Sequence, residues 1–190
     1  MDGSTSATQA VRWAAREATR RDAPLVIVHA WPLVPVAVPH AATLRPYQDA
    51  LAEQGREWLV EAAAAAKETA PDVVVSAELS SGWAAAQLIG RSASAELVVL
   101  GSRGLGGFSG LVVGSIAVAV ATHGHCPVVV VRGADPHAEP RQDGPVVVGV
   151  DGSPTSQAAI LFAFQAASAG MCLWWLCTPG ATCPSRPSGS

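Results

Sequence analysis

The residues with the clearest chemical content are Gly101, Gly104, Gly114 and Ser115, spaced G-x2-G-x9-G-S. They follow directly on Leu97–Leu100, a short apolar run that reads as a buried strand. Gly101 and Gly104 allow bare backbone to come close to a ligand, and their N–H groups can converge on an anion. Gly114-Ser115 opens the next helix, whose unpaired N–H groups and positive dipole end favour a second phosphate contact. Ser115 can add a hydroxyl. Arg103 can pair with phosphate or point to solvent. The competing reading is a flexible glycine-rich loop with no ligand.

Two commoner phosphate motifs are excluded. A Walker loop needs Gly-Lys-Ser/Thr, and the only lysine is Lys67. The dinucleotide fingerprint fails because Gly104-x-Gly106-x-x is followed by Ser109 instead of glycine.

The elements that must position this loop alternate along the chain. Ala7–Arg21 reads as a helix, with Ala10, Trp13, Ala14 and Ala18 on one face and Ser4, Thr5 or Ser6 as cap. Leu25–His29 is a strand covered on both faces. Prolines 32, 35, 39 and 46 make Trp31–Pro46 a loop. Tyr47–Thr69 is a long helix, Val73–Leu79 a strand and Trp83–Ser92 a short helix. Helix Gly114–Gly124 and strand Pro127–Arg132 follow the glycine loop. Buried strands separated by helices predict an α/β, doubly wound parallel sheet with right-handed crossovers.

Gly133–Gly144 reads as a linker, and strand Pro145–Val150 and a helix to about Ala169 come after it. This segment repeats the beginning. Asp151-Gly152-Ser153 matches Asp2-Gly3-Ser4, and Ala159, Ala163 and Ala167 match Ala10, Ala14 and Ala18. The second copy has a strand before its Asp-Gly-Ser, whereas the first has only Met1. Four units are therefore expected: 1–132, a domain lacking its first strand; 133–144, a linker; 145–169, the start of a second copy; and 170–190, an aberrant, disordered tail. A late frameshift or truncated gene, with a start codon assigned late, would account for both ends. Trp174-Trp175 in the tail reads as an exposed apolar patch.

The pattern resembles the universal stress protein family of UspA-like proteins, tandem-domain type. It is carried by the glycine signature, by ELVVLGSRG at 96–104, by THGHCPVVVVR at 122–132, by LVIVHAW at 25–31 and by the opening DGS. The resemblance implies a five-stranded parallel sheet of order 3-2-1-4-5, adenine nucleotide alpha hydrolase-like, with dimer contacts along the last strand. It also implies ATP binding, with Mg2+ accompanying the nucleotide. Asp2 would lie by the ribose, and Ala30 and Leu100 would border adenine. Gly101, Arg103, Gly104, Gly114 and Ser115 would hold ribose and phosphates, with Ile116 nearby. Strand 1 is central in that order. Val146–Val150 has the character to fill its place, and Asp151 would then substitute for Asp2.

Composition excludes other classes. Net charge is −3, which argues against a nucleic-acid surface. Arg16, Arg20 and Arg21 read as a solvated helix face. No apolar run is long enough for a membrane span, and Met1–Ser4 lacks the basic and apolar parts of a secretion signal, so a cytoplasmic protein is expected. His123, His125 and Cys126 lack further metal ligands and read as a helix end. His29 reads as a strand-end residue in preference to a base. The expected function is that of an adenine-nucleotide-binding regulator of stress response. It would act as a homodimer, or as an intramolecular pseudo-dimer in a full-length form. The alternatives are a ligand-free dimerisation or signalling module and a slow ATPase, the latter lacking a clear base.

Overall fold

The computed structural model describes residues 1–32, 41–104, 113–132, 145–170 and 174–177, without the side chains of 41–44, 169–170 and 174–177. The expected linker 133–144 and most of the tail lie outside the described residues. Met1–Pro140 and Arg141–Ser190 are two compact units.

In the first unit, helix α1 spans Thr5–Arg21. The Ser4 side chain caps it by accepting the Ala7 N–H, and Asp22 ends it in a left-handed conformation with φ 53°. Strand β1 (Leu25–Trp31) follows, then helix α2 (Ala41–Thr69) and strand β2 (Val75–Ser81). Helix α3 (Ala84–Ser92), strand β3 (Val98–Gly101), helix α4 (Ser115–His123) and strand β4 (Val128–Val131) complete it. All strand pairing is parallel: β1 with β2, and β3 with β4.

Three expectations need correction here. The helix expected from Tyr47 begins at Ala41 and carries Pro46 inside it. Pro46 sits near the start, where the only bond forgone is one to the Ala42 carbonyl. The strand expected at Val73–Leu79 runs two residues later. Val73 is instead buried against α2, with its carbonyl accepting from Lys67 Nζ at 2.6 Å. The sheet is not continuous, because β1 and β3 are not hydrogen-bonded to each other and two two-stranded sheets result. An open lane runs between their facing edges.

The main core joins α1, α2 and β1. Val11, Ala15, Ala18, Ile27, Leu59, Ala62 and Ala66 are buried there. Alanine dominates both helix faces, so the helices and β1 can approach closely. The expected inward residues Ala10, Ala14 and Ala18 are buried, while Trp13 is half-buried.

In the second unit, strand β5 (Val146–Gly149) leads into helix α5 (Pro154–Gly170), and strand β6 (Trp174–Cys177) pairs with β5 in parallel. Two expectations change. Residues 174–177 form a strand where a tail without structure was expected. β5 takes β6 as its partner and is not hydrogen-bonded to β1 or β3, the pairing expected of a strand filling the first unit's vacant place. The side chains of Trp174 and Trp175 lie outside the described residues.

Candidate functional site

The site is built at the carboxyl ends of β1 and β3, where α1 and α4 begin. Met1 N donates to the Val28 carbonyl, which holds the start of the chain against β1. Asp2 then closes a tight turn: its Oδ1 accepts from Ser4 N at 3.0 Å and from Ser4 Oγ at 2.7 Å. Gly3 has φ +77°, a conformation that side-chain-bearing residues rarely adopt. Ser4 Oγ also lies 3.4 Å from the Arg103 carbonyl, and Arg103 N donates to Ser6 Oγ at 3.4 Å. The first turn of α1 is thereby laced to the loop after β3.

The glycines of that loop serve close approach. A Cβ on Gly101 would lie 2.7 Å from the Ser6 carbonyl oxygen, and one on Gly104 would run into Asp2 Oδ2. Ser102 is buried, donates from its N to Val131 O at 3.0 Å, and accepts from Gly114 N at 2.9 Å. Both ends of the glycine loop are therefore tied to the same residue; residues 105–112 are outside the described set. Gly114 is the N-cap of α4 and carries no side-chain cap bond, so the N–H groups of the first turn are presented at the site. Ser115 and Ile116 are exposed beside it, as is Arg103.

A cavity of about 1230 Å³ opens here. Asp2, Ala30, Leu100, Gly101, Arg103, Gly104, Gly114, Ser115 and Ile116 all line it. Its size exceeds that of an ordinary ligand pocket, about 300–1,000 Å³, because the mouth merges with the apolar lane between β1 and β3. The lane is lined by Val26, Val28, Val99 and the alanine face of α1.

Asp151 is not among these residues. It belongs to the second unit, fully exposed, and accepts from Ser153 N at 2.9 Å. Hydrogen bonds from Ser153 hold its carboxyl below the usual range. Gly152 has φ +82° and Ser153 Oγ accepts from Ser156 N at 3.1 Å, so the turn copies the one at Asp2-Gly3-Ser4. β5, the strand that precedes Asp151, pairs with β6, and Asp2 itself stands at Gly104.

Sequence reasoning missed Ser6 and Ser102, since neither sits at a motif position. It also missed what surrounds Asp2 from behind, namely His29, Gly55 and Trp58. Gly55 was the available signal there, because a glycine inside a long helix costs about 1 kcal/mol relative to alanine. Among the described residues no group of three His, Cys, Asp or Glu could hold a metal ion. His125 N instead donates to Ser92 Oγ at 2.9 Å. Among the described residues, too, no helix is long and apolar enough to cross a membrane.

The family model for the universal stress protein family matches residues 1–132. The chain belongs to the universal stress protein family. It is 36% identical over 173 residues to a universal stress protein of Mycolicibacterium smegmatis, which covers 88% of this chain and 58% of that one. It is also 36% identical over 178 residues to a universal stress protein of Mycobacterium tuberculosis, with the same two coverages. The chain thus spans less than two thirds of the length of these relatives. A solved universal stress protein in complex with cAMP superposes with a TM-score of 0.54 at 26% identity, over 70% of this chain and 92% of that one. The α/β fold of parallel strands and flanking helices is accordingly that of the universal stress proteins.

Proposed function

We propose that this universal stress protein chain binds an adenine nucleotide at the mouth of the cavity and acts as a nucleotide-dependent regulator of the stress response. The observation that supports the reading most is the meeting of nine residues on one concave surface, with Gly104 kept bare against the Asp2 carboxylate. A relative of the same fold is described in complex with cAMP, which agrees with an adenine ligand. Asp2 accepts ribose hydroxyls. The Gly101–Gly104 backbone and the first turn of α4 receive the phosphates, where a helix N-terminus favours negative charge. Arg103 lies at the rim. Ala30 and Leu100 supply apolar walls for the base.

The ligand we favour is ATP. Its fit rests on the bare backbone at Gly101, Gly104 and Gly114, which leaves room for phosphate oxygens at N–H distance. A magnesium ion would enter as the counter-ion of the phosphates. A cytoplasmic location and a homodimer, or pseudo-dimer in a longer form, belong to the same reading.

Nucleotide extraction from the purified full chain tests it, together with thermal shifts by ATP, AMP and cAMP. Bound adenine nucleotide, and a shift lost in Gly104→Val, is the expected result. Protein free of nucleotide and unshifted by all three would overturn the reading and leave the signalling module. Accumulation of ADP over hours would instead point to a slow ATPase.

A further inference from the structure

His29 is buried, 7% exposed, at the carboxyl end of β1, and nothing in the nucleotide reading uses it. Its Nδ1 faces the Met1 carbonyl oxygen as a hydrogen-bond partner. A carbonyl can only accept, so the ring presents Nδ1–H as donor. The ring meets Trp58 edge to face, with centroids 5.4 Å apart and an interplanar angle of 72°. It also fits against Gly55, where an added Cβ would overlap the ring at Cδ2 and Nε2. A glycine in a helix interior costs about 1 kcal/mol relative to alanine. In α2 that cost makes room for an imidazole. Trp58 in turn covers Gly3, at which a Cβ would fall 2.5 Å from the indole.

The Met1–Asp2 peptide is therefore gripped from behind. His29 holds its carbonyl, and Trp58 blocks the glycine that follows. On the front side, the same peptide carries the carboxylate that faces Gly104 and bonds Ser4. We propose that His29 is a positioning residue for the site: through the Met1 carbonyl, and braced by Trp58 and Gly55, it aims the Asp2 carboxylate at the loop that receives the nucleotide. The inference rests on the nucleotide reading for its function, though not for its geometry. His29 is not among the described residues that line the cavity. Its effect passes through one hydrogen bond and one peptide.

Six proteins test it: wild type, His29→Asn, His29→Leu, Asp2→Asn and the two double variants that combine each His29 change with Asp2→Asn. Asparagine keeps a donor near the place of Nδ1, and leucine keeps only the bulk. Calorimetric titration with ATP is expected to show binding weakened about tenfold or more by His29→Leu and within about threefold of wild type in His29→Asn, a gap set by whether the Met1 carbonyl keeps its hydrogen bond. On the Asp2→Asn background, His29→Leu is expected to add less than about twofold, because its path to the ligand is already cut. Equal losses in the two His29 variants, or an undiminished loss on the Asp2→Asn background, would overturn the proposal. A second readout needs no nucleotide. The Ser4 amide, bonded to Asp2 Oδ1, is expected to exchange at least tenfold faster in His29→Leu and at the wild-type rate in His29→Asn. Unchanged Ser4 exchange in His29→Leu refutes the positioning role even if ATP never binds. Failure of ATP binding in wild type with the expected exchange pattern would sink the nucleotide reading alone.

Discussion

Gly101 is a position where the fold and the site make the same demand, that no side chain be present, and Gly101→Ala measures the fold's share of it. The added Cβ would lie 2.7 Å from both the Ser6 carbonyl oxygen and Ser6 Oγ, and 2.8 Å from the Ser6 carbonyl carbon. The hydroxyl can rotate away. The carbonyl cannot, because it belongs to the first turn of α1, whose Ala10, Ala14 and Ala15 are packed in the interior. Restoring an ordinary contact of about 3.5 Å means moving helix or strand by roughly 0.8 Å, and overpacking of this kind costs about 1–3 kcal/mol. Alanine stiffens the unfolded chain and returns about 0.4–1 kcal/mol. A net loss of about 1–2 kcal/mol is therefore expected. Gly90→Ala is the matched control. Gly90 lies in α3, is exposed, and has nothing within 4 Å of its added Cβ. Freed of the glycine penalty, the helix should gain about 0.5–1 kcal/mol. Urea unfolding followed by far-ultraviolet circular dichroism compares the midpoints, with unchanged slope as the condition for reading them as stability. If Gly101→Ala unfolds at or above the wild-type midpoint, α1 can retreat without cost and the close approach at Ser6 is not what fixes the loop.

Three other outcomes are expected. Ser4→Ala removes the cap of α1 and a partner of Asp2, and should lower stability by about 1 kcal/mol in the same urea experiment. Gly104→Ala should leave the midpoint within about 0.5 kcal/mol, because the atom in its way is the movable end of the Asp2 side chain; under the nucleotide reading it should still weaken ATP binding. Glu17 gives a pH signature. Burial alone would raise its pKa, but hydrogen bonds and charge from Arg20 and Arg21 outweigh it and hold the carboxyl below its ordinary value. The contribution is then fully present above the unfolded pKa, about 4.3, and is lost as pH falls through the lower folded value. Glu17→Gln should accordingly show a flatter fall in stability between about pH 5 and pH 3 than wild type, measured by urea midpoints at each pH.

The fold was legible where one force dominated. Leu25–His29 and Leu97–Leu100 are apolar runs; the first lies in β1, and Val98–Leu100 of the second lies in β3. The gap in the sheet was legible too, because the repeat showed a strand before Asp151 and none before Asp2. The start of α2 was not, since four nearby prolines argue for a loop and only tertiary packing decides where the helix can begin. β6 was hidden by its composition: tryptophan and cysteine beside proline and glycine carry no strand period, and the partner that orders Trp174–Cys177 is β5. At the site, the glycine spacing named Gly101, Gly104 and Gly114, since bare backbone leaves a mark in sequence. Ser6 left none, because its role is to have a carbonyl and a hydroxyl at one point of α1, which any serine in the first turn could supply.

The lane between β1 and β3 makes the middle of this α/β unit behave as two edges. Residues of a parallel strand send their N–H and C=O groups alternately to the two sides. Leu25 N donates to Val74 O on the β2 side, and Met1 N reaches Val28 O from the other. Leu25, Ile27 and His29 thus pair with β2, while Val26, Val28 and Ala30 face the lane. On β3, Val98 N donates to Pro127 O and Ser102 N to Val131 O, which leaves Val99 and Gly101 on the open side. Amide exchange along these buried strands should therefore have a period of two, slow and fast residues alternating within single strands that an ordinary doubly wound sheet would protect throughout.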